Sequence, residues 1–211
     1  MSMSQPNVIR ILIADDHPIF RLALKKLLEC ERDITVVAQA EDGREALTLF
    51  AQHRPDVTLM DLRMPIMEGA DAIAAIRAKF KQARIIVFST YDGDENIYRG
   101  LRSGAKGYIF KGAEPHELLK AIRTVHKGQK YIPPNIAAKL AERLGSSPLS
   151  NRELEVLRLI AKGKSNSEIS QDLSIAESTV RFHLKNIFSK LDVGDRTQAL
   201  VTALNRGIVR L

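Results

Sequence analysis

Two aspartates stand side by side in "IADDHP", Asp15 and Asp16, directly after an apolar run. Adjacent carboxylates repel each other. Buried together, one is driven toward its protonated form unless a cation sits nearby. Taken alone, the pair fits half of a hydrolytic dyad, a metal site or a polar loop. Other polar residues close apolar runs further on: Asp61 in "LMDLRMP", Ser89 in "VFSTYD" and Lys111 in "GYIFKG". Three carboxylates converging on one cleft need a hard cation, and carboxylate oxygens with waters suit Mg2+. Such an ion with a lysine would stabilise a transferring phosphoryl group and leave one aspartate free to attack phosphorus. Carboxylates that form acyl phosphates are an established class of nucleophile.

The elements that must position these groups follow from the pattern over residues 1–126. Short apolar, β-branched runs occur at Val8–Ala14, Ile34–Ala38, Val57–Met60, Ile85–Phe88 and Gly107–Phe110. Helical periodicity separates them at Phe20–Cys30, Arg44–Gln52, Ala70–Lys79, Glu95–Arg102 and Pro115–His126. Strand then helix, repeated, predicts a doubly wound five-stranded parallel sheet. The near-continuous apolar runs suit strands buried on both faces. In such a sheet chemistry gathers at the carboxyl ends of the strands, where Asp15, Asp16, Asp61, Ser89 and Lys111 all fall. No Gly-x-Gly-x-x-Gly follows the first strand, so a dinucleotide site is not indicated.

The pieces "ILIADDHP", "TLMDLRMPIMEG", "IIVFSTYD" and "GAKGYIFK" make residues 8–126 resemble a response-regulator receiver domain, with a flavodoxin-like (CheY-like) α/β fold. The resemblance implies that Asp61 is the phosphoacceptor. It implies that Asp15, Asp16, Asp61 and the backbone carbonyl of Arg63 hold Mg2+, with Asp16 a direct ligand. Ser89 would turn toward the phosphoryl group, Lys111 would pair with it, and Tyr108 would be the aromatic switch position. Pro65 and Gly69 would shape the loop after Asp61. Arg63 and Tyr91 occupy the places that tune hydrolysis, and their bulk implies a long-lived phosphorylated state. His17 is read as the start of the first helix and is left out of the site. Haloacid-dehalogenase-like phosphatases also use a strand-end aspartate and Mg2+. They need a second aspartate two residues on, however, where this chain has Arg63, which cannot give up a proton. The chain is therefore not read as an enzyme.

Charge divides the sequence. The first 126 residues carry a net +1 and the remainder +6, which points the second part at a polyanion. Residues 127–148 read as a linker carrying one short helix, Ile136–Leu144. Residues 149–211 look entirely helical. Ser150 and Glu153 form a capping box, and Gly163 closes the helix that the box opens. In "TVRFHLKNIFSKL", Val180, Leu184, Ile187, Phe188 and Leu191 form an apolar stripe, while Arg181, Phe182, Lys185 and Ser189 lie opposite. A phenylalanine between two cations suits a DNA major groove. This segment resembles the LuxR-type helix-turn-helix, so the chain as a whole resembles a NarL/FixJ-type response regulator. The resemblance makes Asn166–Leu173 the scaffold helix and Glu177–Leu191 the recognition helix. Arg181, Phe182 and Lys185 would read bases, while Thr179, His183 and Lys164 would lie near the backbone. The family usually caps the recognition helix with Ser or Thr, and Ala176 stands there. The helix then either starts at Ser178 or becomes firm on DNA.

The 211 residues hold one cysteine, Cys30, which rules out an intrachain disulfide and fits a reducing cytosol. No apolar run is long enough to span a membrane, and no signal core opens the chain. The expectation is a bacterial cytoplasmic transcription regulator that joins the nucleoid when active. A sensor histidine kinase would phosphorylate it on Asp61 in a Mg2+-dependent step. It would then bind promoter half-sites as a homodimer. The alternative is a phosphorylation-independent DNA-binding regulator that uses the receiver as a dimerisation scaffold.

Overall fold

The apolar runs form five parallel strands in a computed structural model that describes residues 8–90, 93–145 and 147–209. These are β1 (Ile9–Ala14), β2 (Ile34–Ala40), β3 (Val57–Met60), β4 (Ile85–Ser89) and β5 (Gly107–Phe110). Their order is β2-β1-β3-β4-β5, and every neighbouring pair is parallel. The crossovers are α1 (Pro18–Glu29), α2 (Gly43–His53), α3 (Gly69–Lys79), α4 (Asp94–Arg102) and α5 (Pro115–His126). Alternation along the strands sorts the core. Ile9, Ile11, Ile13, Leu59, Ile86 and Phe88 pack against Leu24 and Leu28 of α1 and Leu118, Ile122 and Val125 of α5. Leu12, Met60, Val87 and Tyr108, the alternate positions, are buried as well, as are Ile73 and Ile76 of α3. Both sheet faces are thus covered, which explains the lack of polar alternation in the sequence.

Element ends shift by one or two residues from the sequence reading, and two features have a physical reason. Helix α1 begins at Pro18 instead of Phe20, because a proline at the first helical position costs no hydrogen bond and has the helical φ preset. Tyr131, within the stretch read as linker, bridges to Gly107. Its N–H donates to Lys106 O (2.9 Å) and its carbonyl accepts from Tyr108 N (3.1 Å), so it partners the open edge of β5.

The described residues divide into two compact units. One holds the sheet and its helices as far as Ala137, apart from Gly93–Asn96, which group with the other; the second takes in Ala138 onward. Helix α6 (Pro134–Gly145) is longer than the Ile136–Leu144 expected. The second unit is built on α7 (Asn151–Ala161), α8 (Asn166–Asp172), α9 (Glu177–Leu191) and α10 (Arg196–Asn205). Its core comprises Val156, Leu157, Ile160, Ile169, Val180, Leu184, Ile187, Leu191, Ala199 and Ala203, with Phe188 packed at the margin. The Ser150–Glu153 capping box forms, and Gly163 takes the left-handed φ of +77° that ends α7.

Glu153 does more than cap. It is buried, and its carboxylate accepts hydrogen bonds from Ser150 N (2.7 Å) and from Lys190 Nζ of α9 (2.8 Å). Burial alone would raise its pKa. The bonds from Lys190 and Ser150 outweigh that and hold it below the usual carboxylate value. A depressed folded pKa gives stability that is present above the unfolded value of about 4.3 and is lost as pH falls through the folded one. Glu153→Gln should therefore cost about 1 to 3 kcal/mol at neutral pH. The cost should shrink toward pH 3, as read by denaturant unfolding at both pH values.

Candidate functional site

The carboxyl edge of the sheet gathers the residues expected there. Parallel pairing fixes their depth: Asp15 N donates to Ala40 O (3.0 Å), Asp61 N to Ala14 O (2.8 Å) and Lys111 N to Ser89 O (3.0 Å). Asp15 and Asp61 are 2% and 3% exposed. The Lys111 ammonium lies between them, 2.6 Å from Asp15 Oδ2 and 2.5 Å from Asp61 Oδ2. Ser89 Oγ donates to Asp61 Oδ1 at 2.8 Å. Burial would lower the Lys111 pKa, but hydrogen bonds and charge from Asp15 and Asp61 more than offset it and leave the pKa raised. The lysine is therefore a fixed positive charge at working pH.

The loop after β3 is shaped around this carboxylate. A Cβ on Gly69 would meet Asp61 O at 1.8 Å, so glycine is the residue that fits there. Arg63 N lies 3.3 Å from Asp61 Oδ1, which runs the Arg63 backbone past the carboxylate. Ile66 has φ +63° and is 73% exposed. A β-branched residue in the left-handed region is strained, and here no burial compensates. Ile66→Asn should raise the unfolding free energy by roughly 1 kcal/mol, since Asn tolerates this region. An unchanged denaturation midpoint would remove the strain account. Tyr108 is fully buried, its ring edge-on to Phe110 at 5.7 Å. Tyr91 lies outside the described residues.

The residues fit a hard cation. Ligand atoms of Asp15, Asp16, His17 and Asp61 all lie within 4.8 Å of one another. Asp16 Oδ1 is buried and accepts no hydrogen bond. With Lys111 the pocket holds three carboxylates and one ammonium, which leaves the two negative charges that a divalent ion neutralises. His17, set apart on sequence, is drawn in: its N–H donates to Asp15 Oδ1 (2.9 Å) and its Nδ1 lies 2.8 Å from Asp16 Oδ1.

A second candidate surface lies on α9. Of its inward stripe Val180, Leu184, Ile187 and Leu191 are buried and Phe188 half-buried, and Phe182 on the opposite face is 60% exposed. Arg181 and Lys185 flank it, both exposed, with Arg181 Nη2 donating to Glu177 Oε1 one turn back (2.7 Å). Thr179 and His183 are half-buried at the edge, and the His183 ring stands edge-on to Phe182 at 5.9 Å. Lys164 is held by Asp172 at 2.5 Å, a pairing that sequence did not reveal. Arg196 reaches from α10 to Asn166 Oδ1 and the Lys164 carbonyl and so fixes the start of α8.

Helix α9 starts at Glu177, not Ser178. Ala176 occupies the cap position with extended backbone (φ −66°, ψ 146°) and no side-chain bond to the helix. Ala176→Ser should add about 1 kcal/mol. A melting point equal to wild type would count against this capping account.

Residues 11–123 match the family model for the response regulator receiver domain, and residues 147–203 match that for bacterial regulatory proteins of the luxR family. The chain is 40% identical over 210 residues to the transcriptional regulatory protein LiaR of Bacillus subtilis (strain 168), covering 96% of this chain and 100% of that one. It is 37% identical over 215 residues to the probable transcriptional regulatory protein NarL of Mycobacterium tuberculosis (strain ATCC 25618 / H37Rv), covering 99% and 100%. Among solved structures, it is similar to RcsB from Salmonella enterica serovar Typhimurium bound to promoter P1flhDC in the presence of the phosphomimetic BeF3-. There the TM-score is 0.73 and the identity 29%, over 95% of this chain and 100% of that one.

Proposed function

Because the chain belongs to the NarL/FixJ-type response regulators, DNA-binding transcription regulators that join a receiver domain to a LuxR-type helix-turn-helix, we propose that phosphorylation of Asp61 governs its DNA binding. The observation that carries this reading is the contact set of Asp61. One carboxylate oxygen meets Lys111 and the other meets Ser89, which supports both as partners of a phosphoryl group added there. An Asp61 oxygen forms the bond to phosphorus as the bond from phosphorus to the donor histidine nitrogen of a sensor kinase breaks. Lys111 then exchanges its carboxylate partner for a phosphoryl oxygen, and Ser89 turns its hydroxyl to another. Asp15, Asp16, Asp61 and the Arg63 carbonyl are the groups that would hold Mg2+, which when bound neutralises charge on the transferring group. Tyr108, packed beside β5, is the second switch residue in this reading.

On the DNA side, α9 enters the major groove with Arg181, Phe182 and Lys185 toward base edges. Thr179, His183 and Lys164 approach the backbone. Activated dimers read two half-sites about one helical turn apart. The sequence-derived domains, 1–126, 127–148 and 149–211, are kept in this reading, as is a cytoplasmic, nucleoid-bound active form. No helix among the described residues is long and apolar enough to cross a membrane.

DNA affinity of wild type and Asp61→Asn, each with and without acetyl phosphate plus Mg2+, tests the proposal. A donor-dependent gain in wild type that the variant lacks supports it. Equal affinity in all four favours a receiver that serves only as a dimerisation scaffold.

A further inference from the structure

His17 stands at the acidic pocket, and phosphoryl transfer gives it no task. It stands at the cap position of α1, yet its side chain makes no bond to the helix N–H groups. Its ring is 70% exposed, and its Nδ1 turns back to the carboxylates, 3.2 Å from Asp15 Oδ1 and 2.8 Å from Asp16 Oδ1. Asp16 Oδ1 is buried and has no hydrogen bond of good geometry, so its contact with the ring is an ion pair only when His17 is protonated. A protonated ring would bond to the Asp15 oxygen and pair with Asp16, whereas a neutral ring with its proton on Nε2 turns the Nδ1 lone pair toward both carboxylates, an arrangement that a shared cation satisfies.

We propose that His17 Nδ1 is a nitrogen ligand of this pocket and turns its preference from Mg2+ toward borderline transition cations of the Mn2+, Co2+ and Zn2+ class. The inference rests on the reading of Asp15, Asp16 and Asp61 as a cation site and adds a donor to it.

The chemistry follows from the donor set. Carboxylates, a carbonyl and waters suit Mg2+, whereas an imidazole suits the later divalent ions. Ligand bonds of about 2.0 to 2.2 Å place donor atoms no more than about 4.4 Å apart across one ion. The four donors lie within 4.8 Å of one another, so a movement of a few tenths of an ångström closes the set. Two constraints limit the search the imidazole must make. Pro18 fixes the backbone on one side, and the His17 N–H bond to Asp15 anchors it on the other. The two negative charges left after Lys111 is counted match any divalent ion. The nitrogen donor, not the charge, therefore sets the preference.

The test uses the full chain as wild type, His17→Ala, His17→Gln and Asp61→Asn. Co2+ binding is read from its visible absorption and Mn2+ binding from its free-ion EPR signal. Mg2+ affinity comes from competition against Mn2+. Circular dichroism of the metal-free proteins checks that each variant folds. In both His17 variants, Co2+ affinity should fall about tenfold or more, Mn2+ less steeply, and Mg2+ less than about twofold. Equal effects on Co2+ and Mg2+, or none on either, overturn the role of His17 and leave the pocket standing. If Asp61→Asn leaves all three ions bound as in wild type, the pocket is not the cation site and both readings fall.

Discussion

Lys111→Met will lower the stability of the sheet-bearing unit by about 3 to 5 kcal/mol in metal-free buffer, the cost of breaking a buried ion pair by removing one partner. The lysine touches both Asp15 and Asp61, each nearly inaccessible to water. Without it, two buried carboxylates face each other with no cation between them. Methionine fills the space but supplies no charge. Two rescues separate this from a packing defect. Acid should restore part of the loss, because protonating one carboxylate removes the repulsion. Saturating Mg2+ should restore part as well, since an ion that binds only the folded form stabilises it by mass action. Denaturant unfolding at pH 5 and pH 7.5, with EDTA or with Mg2+, reads all four conditions. A loss that neither acid nor Mg2+ changes would mean that Lys111 matters for packing alone. The same variant should take up little phosphoryl label at Asp61, because no fixed cation remains to meet the incoming oxygens.

What sequence revealed of this molecule, and what it hid, divide by the range of the interaction. The strands were legible because a parallel strand covered on both faces must be apolar nearly throughout, and "VTLM" and "IIVFS" are. The site was legible because polar residues at the ends of such runs have one edge to share. Contacts that depend on a turn of backbone were not. His17 reads as a helix start, which it is, and nothing in "DDHP" shows that its ring folds back on the carboxylates. Ile66 looks like an ordinary apolar residue until its φ is known. The Ser165–Glu168 capping box has the same Ser-x-x-Glu spacing as Ser150–Glu153 and was there to be found. The Lys164–Asp172 pair was not, because residues eight apart meet only once α8 is folded and placed.

Phe182→Ala should weaken binding to the cognate operator about tenfold or more and leave binding to random DNA unchanged. A side chain that meets a base edge is worth about 1 to 3 kcal/mol of discrimination and carries no charge. Stability should not change, because the ring is mostly exposed and lies outside the core of α7–α10. Lys164→Ala should act in the opposite way. A phosphate contact contributes on every sequence, so affinity falls on operator and random DNA alike, and the slope of log K against log salt drops by about 0.9. In the free protein Asp172 holds the ammonium at 2.5 Å, so a DNA phosphate would have to compete for it and the expected effect is smaller. Asp172→Asn should therefore strengthen binding modestly on all sequences. Arg181 and Lys185 can act in either way, and the same two measurements sort them. A base reader shows a loss confined to the operator, whereas a phosphate contact shows a uniform loss and a shallower slope. Fluorescence anisotropy with operator and scrambled duplexes over a salt series supplies both numbers. A uniform loss for Phe182→Ala would mean that the exposed ring orders the helix and does not read sequence.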